Sequence, residues 1–221
     1  MKQIIYCISG LGADERIFSN LKLEGYSLKH IPWLRPEKNE TIEAYAARMA
    51  KAIQTNNAIL IGVSFGGIIG IEIARQVPLK KLILVSSIKS SDELPAWMKL
   101  AGKLKLNNIF PIRFYRSYRI TEMIGNSRLG VSSPQEKQMV RSYRRSADLV
   151  YVQWAINKII NWKNKWQPEH VVHIHGYEDK IFPVKKITKA YLIKEGTHMM
   201  IYNKADEVSK IILKEIESTS E

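Results

Sequence analysis

One stretch constrains this 221-residue chain more than any other: Asn57 to Ile73, which reads N-A-I-L-I-G-V-S-F-G-G-I-I-G-I-E-I. Ala58 to Val63 is a short apolar run rich in Ile, Leu and Val, as expected of a strand buried on both faces of a parallel sheet. The run ends in Gly62-Val63-Ser64-Phe65-Gly66-Gly67, after which Ile68, Ile69, Ile71 and Ile73 recur at helical spacing. Between a strand and a helix, G-x-S-x-G has a physical consequence. Gly62 and Gly66 carry no side chains, so strand and helix can crowd around Ser64 and lift its hydroxyl to the top of the sheet. The helix N-terminus beneath adds partial positive charge where an oxyanion would form. A glycine-rich turn can also cradle phosphate. This one lacks the G-K-S/T ending of a P-loop and the G-x-G-x-x-G spacing of a dinucleotide fold.

The rest of the chain alternates in the same way. Gln3 to Ser9 forms a strand that runs into Gly10-Leu11-Gly12-Ala13-Asp14, a tight loop with a helix capped near Asp14. A second strand is expected over Ser27 to Ile31, and an amphipathic helix over Thr41 to Thr55, capped by Thr41. Lys81 to Ser86 is another buried strand. Beyond it, residues 88–170 break the alternation as a polar-helical insert within a single domain of residues 1–221. Strands then follow at Val171 to His175 and Ala190 to Ile193, with a short helix start at Pro183 to Thr188 and a closing helix over Asn203 to Glu217. Alternation of this kind predicts the α/β class: a mostly parallel central sheet with helices on both faces.

A serine nucleophile needs a base, and the base needs an orienting acid. After the Ser64 turn, H-I-H-G-Y-E-D-K-I-F-P places Asp179 in a loop beyond a strand end, and E-G-T-H-M places His198 beyond the next strand. Asp92, after the preceding strand, and Glu178 are alternative acids. These motifs resemble the α/β-hydrolase superfamily over nearly the whole chain except the insert. G-V-S-F-G is similar to its nucleophile elbow, H-G-Y-E-D-K-I-F-P to its acid loop, G-T-H-M to its histidine loop and S-G-L-G-A-D to its oxyanion loop. In that last motif Ser9 stands where many members have His. The resemblance implies Ser64, Asp179 and His198 as a triad, with the N–H groups of Leu11 and Phe65 as the oxyanion hole. It also implies that the insert is a helical cap between the family's sixth and seventh strands. The expected activity is that of a carboxylesterase-like serine hydrolase that needs no cofactor.

The remaining histidines read as supporting residues: His173 in the core or at an interface, His175 bracing the acid loop, and His30 and His170 at the surface. No carboxylate or cysteine completes a metal-ligand set around them at usual spacing.

Charge is concentrated in the insert. Between Trp97 and Pro168 stand fourteen Lys and Arg against Glu122, Glu136 and Asp148, so +11 of the net +13 lies there. Its aromatic residues (Trp97, Phe110, Phe114, Tyr115, Tyr118, Tyr143, Tyr151, Trp154, Trp162 and Trp166) are read as part core and part lining of an acyl or alcohol site. The basic residues are read as a solvated exterior, or as a means of drawing in an anionic small-molecule substrate or an anionic surface. Nucleic acid is not expected, since no binding motif accompanies the charge. The rival readings are a weakly active scaffold that binds an anionic ligand, or another triad chemistry (thioester, amide or carbon–carbon cleavage). No stretch is apolar enough over a sufficient length to span a bilayer, and no secretory signal is expected. The single cysteine, Cys7, excludes an intramolecular disulfide and fits a reducing compartment, the cytoplasm.

Overall fold

The apolar runs form a parallel sheet because their side chains alternate between two buried faces. The computed structural model describes residues 2–105 and 119–218. Its strands are β1 (Gln3–Ile8), β2 (Tyr26–His30), β3 (Ala58–Val63), β4 (Leu79–Val85), β5 (Val171–Gly176) and β6 (Tyr191–Ile193). They lie in the order β2-β1-β3-β4-β5-β6 with every neighbouring pair parallel. Tyr6, Ile8, Leu60, Leu82 and Leu84 point to one face. Ile5, Cys7, Ile59, Ile61, Ile83 and Val85 point to the other. That period of two follows from strand geometry.

On the first face lie α1 (Ile42–Ala50) and α2 (Phe65–Ala74). Residues Phe65 to Ile73 of α2 are all buried, which accounts for a helix apolar on every side. The exception in polarity is Glu72, whose carboxylate accepts a hydrogen bond from Trp162 Nε1 at 2.7 Å. On the second face lie a single 3-10 turn, Glu15–Phe18, and the closing helices α7 (Met200–Asn203) and α8 (Ala205–Glu217).

Between β4 and β5, the fourth and fifth strands here, come α3 (Ala96–Lys103), α4 (Arg119–Leu129), α5 (Pro134–Ser146) and α6 (Leu149–Ile160). α5 opens on a capping box in which Ser133 and Glu136 satisfy each other's backbone N–H groups, and Pro134 occupies the first turn. Asp148 caps α6 through Val150 N at 2.7 Å.

Among the boundaries that differ from expectation are three in helices. The helix from Thr41 ends at Ala50, because the chain tightens into bonds from Ala52 N to Met49 O (3.1 Å) and from Ile53 N to Ala50 O (2.9 Å). Gln54 N is then held by the Tyr6 hydroxyl at 3.0 Å. The helix near Asp14 is one 3-10 turn with Asp14 as its cap. The closing helix is broken at Lys204, where φ is −120°.

The junction of β3 and α2 makes a direct prediction. A Cβ on Gly62 would lie 2.5 Å from Gly66 O and 2.6 Å from Gly67 Cα, contacts that backbone cannot relieve cheaply. Gly62→Ala is expected to lower unfolding stability by about 1–3 kcal/mol in urea titration while the far-ultraviolet spectrum stays native. An unchanged midpoint would show that the junction yields.

Candidate active site

The three residues singled out by sequence meet at the C-terminal edge of the sheet. Ser64 follows β3 directly and adopts φ 54° and ψ −118°, a left-handed conformation that a non-glycine residue rarely takes. Several contacts hold it there. Ser64 N donates to Val85 O (3.0 Å), and its carbonyl accepts from Ser87 Oγ (2.6 Å) and Gly67 N (3.0 Å). A Cβ on Gly66 would lie 2.4 Å from the carbonyl oxygens of Ile8 and Ser9, so β1 and α2 approach only through a glycine.

His198 Nε2 lies 2.9 Å from Ser64 Oγ, and its Nδ1 lies 2.8 Å from Asp179 Oδ2. The other Asp179 oxygen accepts the N–H groups of Ile181 (2.8 Å) and Phe182 (2.9 Å). Burial opposes charge on Asp179, but the His198 ring and these donors outweigh it and hold the carboxyl below the usual carboxylate range. With an ionised Asp179 at Nδ1, that nitrogen carries the proton and Nε2 is left to accept from Ser64. Of the alternative acids, Asp92 is exposed 3.8 Å from Lys165 Nζ, and Glu178 is exposed.

The acid and histidine loops are fastened backbone to backbone. Glu178 N donates to Gly196 O at 2.8 Å and Tyr177 N to Ile193 O at 3.0 Å. A Cβ on Gly176 would lie 2.2 Å from Gly196 O. His175 is fully buried and lies 2.8 Å from Phe182 O through Nε2, so it braces the acid loop by donating to it. His173 Nε2 likewise lies 3.0 Å from Ser87 O and donates to the segment that holds the Ser64 carbonyl.

The loop after β1 sits against Ser64: a Cβ on Gly10 would lie 3.5 Å from Ser64 Cβ. Leu11 is in this loop, and Phe65 opens α2 beside it. Two features here were missed by sequence reasoning. Ser9, treated only as a departure from a motif, is fully buried and donates its hydroxyl to Ala13 O at 2.7 Å, closing the loop. His30, expected at the surface, is only 14% exposed in its side chain and lies 3.3 Å from Ser9 Oγ. Trp33 Nε1 completes the frame by donating to Gly10 O at 3.1 Å. A strand-end His preceding Pro32-Trp33 was the available signal. His170 is exposed, as expected.

Above Ser64 opens a cavity of about 420 Å³, within the range of small-molecule sites. Its walls are mainly aliphatic, and the insert contributes Met98, Leu129, Val140, Ile156, Ile159 and Ile160. Of the insert's aromatics, Trp97 and Tyr143 line it. Tyr151, Trp154 and Trp162 instead pack with the core, where Trp33 lies 5.4 Å from Phe65 and 5.0 Å from Tyr151 between ring centroids. Trp166 is exposed. Phe110, Phe114, Tyr115 and Tyr118 lie outside the described residues. No described helix is long and apolar enough to cross a membrane.

Neither a protein-family model nor a curated protein matches the sequence. Solved structures do match the fold. A thermophilic esterase from Thermogutta terrifontis, solved with malate bound, is 17% identical with a TM-score of 0.73, over 99% of this chain and 91% of its own. MenH from S. aureus is 16% identical with a TM-score of 0.73, over 100% and 96%. A putative non-heme bromoperoxidase, BpoC from Mycobacterium tuberculosis H37Rv, is 14% identical with a TM-score of 0.72, over 100% and 94%.

The buried histidines give the site a pH signature. Burial, with His175 and Lys89 nearby, lowers the His173 pKa to about 3, while an unfolded His titrates near 6.5. The folded pKa is depressed, so this contribution to stability is complete above about pH 6.5 and is lost as pH falls toward 3. From pH 7 to 5.5, wild-type unfolding free energy should fall by about 1 kcal/mol more than that of His173→Asn, measured by urea titration at each pH. Parallel curves would show that His173 already carries its proton.

Proposed function

The chain has the α/β-hydrolase fold, and from that premise we propose that it is a carboxylesterase-like serine hydrolase acting on a small carboxylic ester or related acyl compound. The observation that carries this reading is the unbroken hydrogen-bonded series Ser64–His198–Asp179 opening onto an apolar cavity. Solved esterases of the same fold favour it among the chemistries such a triad can run.

In this reading, His198 Nε2 takes the Ser64 proton as Oγ attacks the carbonyl carbon and forms a C–O bond. Asp179 keeps the imidazole in the right tautomer and offsets its positive charge. The N–H groups of Leu11 and Phe65 receive the oxyanion, helped by the N-terminus of α2. The alcohol leaves with the proton from His198. Water then repeats the sequence, with His198 as base, and frees the acid and Ser64. No cofactor enters any step. Residues 88–170 act as a cap over this site within one domain, and the excess of basic residues favours anionic substrates. The lone thiol Cys7, buried and with its pKa pushed up by burial, fits a cytoplasmic setting.

Intact mass after treatment with a fluorophosphonate tests the assignment. One adduct is expected on wild type and none on Ser64→Ala. Asp179→Asn should lower kcat by about 10³- to 10⁴-fold on any ester the wild type cleaves. A folded wild-type protein that takes up no probe and hydrolyses no ester would overturn the reading.

A further inference from the structure

Beyond Ser64 and His198 the cavity is lined chiefly by apolar side chains, with two cations, Arg128 and Arg144, and, among the described residues, no acid on its wall. Arg128 is exposed, with its guanidinium 5.1 Å from the centre of the Trp97 ring. Arg144 is half-buried. Its Nη2 donates to Asn126 Oδ1 at 3.2 Å, and the tip rests on α4 where a Cβ on Gly125 would lie 2.3 Å away.

The three acidic residues between Trp97 and Pro168 are committed elsewhere. Glu122, outside the cavity wall, accepts from Arg141 at 2.7 Å and only its longer-range field reaches Arg144 and Arg145. Glu136 is buried and accepts from the N–H groups of Ser132 and Ser133 and from Asn203 Nδ2, each at 2.8 Å. Asp148 caps α6 and faces Arg35 at 3.6 Å. Residues 106–118 contain no Asp or Glu. Half-burial of the Arg144 guanidinium beside aliphatic walls strengthens its demand for an anion.

We infer that this cavity binds an ester whose apolar arm carries a carboxylate, received by Arg144 through its planar fork of donors. The inference rests on the hydrolase reading for the ester and on Arg144 for the carboxylate. A carboxylate fits better than a dianionic phosphate, because one half-buried cation balances one negative charge. The second guanidinium, on Arg128, is in solvent against Trp97. Gly125 and Asn126 are positioning residues: one leaves room for the guanidinium tip and the other orients it.

The test compares esters bearing a terminal carboxylate, on the acyl arm in one probe and on the alcohol arm in another, with their carboxamide counterparts. The readout is the carboxylate-to-carboxamide ratio of kcat/KM. In wild type this ratio should exceed about 10 on at least one arm, and in Arg144→Gln it should fall about 10- to 100-fold, mainly through KM. Arg144→Lys should recover part of it, since it restores the charge without the fork. Arg141→Gln, on the Glu122 side of α5, should leave the ratio unchanged. A wild-type ratio near one on both arms overturns the inference, as does an equal fall in Arg141→Gln, which would mean a general field and not a site.

Failure of the hydrolase reading is read separately. If wild type cleaves none of the probes and takes up no fluorophosphonate, the same esters are titrated calorimetrically into Ser64→Ala. Carboxylate-selective binding that Arg144→Gln abolishes sustains the cation site, and equal binding of carboxylate and carboxamide refutes it.

Discussion

The left-handed turn at Ser64 is the constraint on which the rest of the structure depends. A serine at φ 54° is strained by about 1–3 kcal/mol, and such a conformation persists only where its surroundings over-determine it. Here the surroundings are backbone. The Gly62 and Gly66 positions let β3, β1 and α2 meet at distances that any Cβ would forbid, and Ser87 and Val85 fix the carbonyl and amide of Ser64 from β4 and its end. The strain is therefore borne by four elements of the sheet layer. This explains why α2 is apolar on all sides: a helix pressed this close has no solvent face to furnish.

A second set of backbone contacts ties the histidine to the acid. Gly176 against Gly196, and the bonds from Glu178 N and Tyr177 N, make the ends of β5 and β6 one unit. The insert joins that unit: Met199 N donates to Leu129 O at 3.2 Å, and Gly130, at φ 73°, leaves no space for a Cβ beside Thr197. The position of His198 is thus coupled to the C-terminal end of α4. The same helix carries Arg128 and supports Arg144, so cavity shape and imidazole position are set by shared contacts.

Much of this was legible in the sequence because the signals were local. Apolar runs bounded by Gly and Pro marked the strands, and G-V-S-F-G fixed one turn with its helix. Two motifs beyond strand ends named Asp179 and His198, and parallel strands with short crossovers bring such ends to one edge. What escaped depends on tertiary contact. His30 looked like a surface residue because a polar residue at a strand end usually is one, and only the fold lays it against buried Ser9. The insert's aromatics could not be apportioned, since Tyr151 and Trp162 differ from Tyr143 only in which neighbour they meet. The S-P-Q-E capping signal at Ser133 was readable and was overlooked.

The charge between Trp97 and Pro168 also reads differently once each acidic residue there has a place. Glu136 and Asp148 are spent on helix starts, where they complement orphan N–H groups and the helix dipole, and Glu122 faces Arg141. The excess of basic residues is therefore not a uniform coat; part of it is turned inward. The fold is shared with solved structures described as a thermophilic esterase and as a putative non-heme bromoperoxidase. Discrimination among such reactions must come from what the cavity walls offer the part of the substrate that does not react. In this chain those walls combine aliphatic side chains of the insert with Leu11, Ile17, Val63, Ile181 and Phe182 from the sheet layer, and the Arg128 and Arg144 guanidiniums come from α4 and α5.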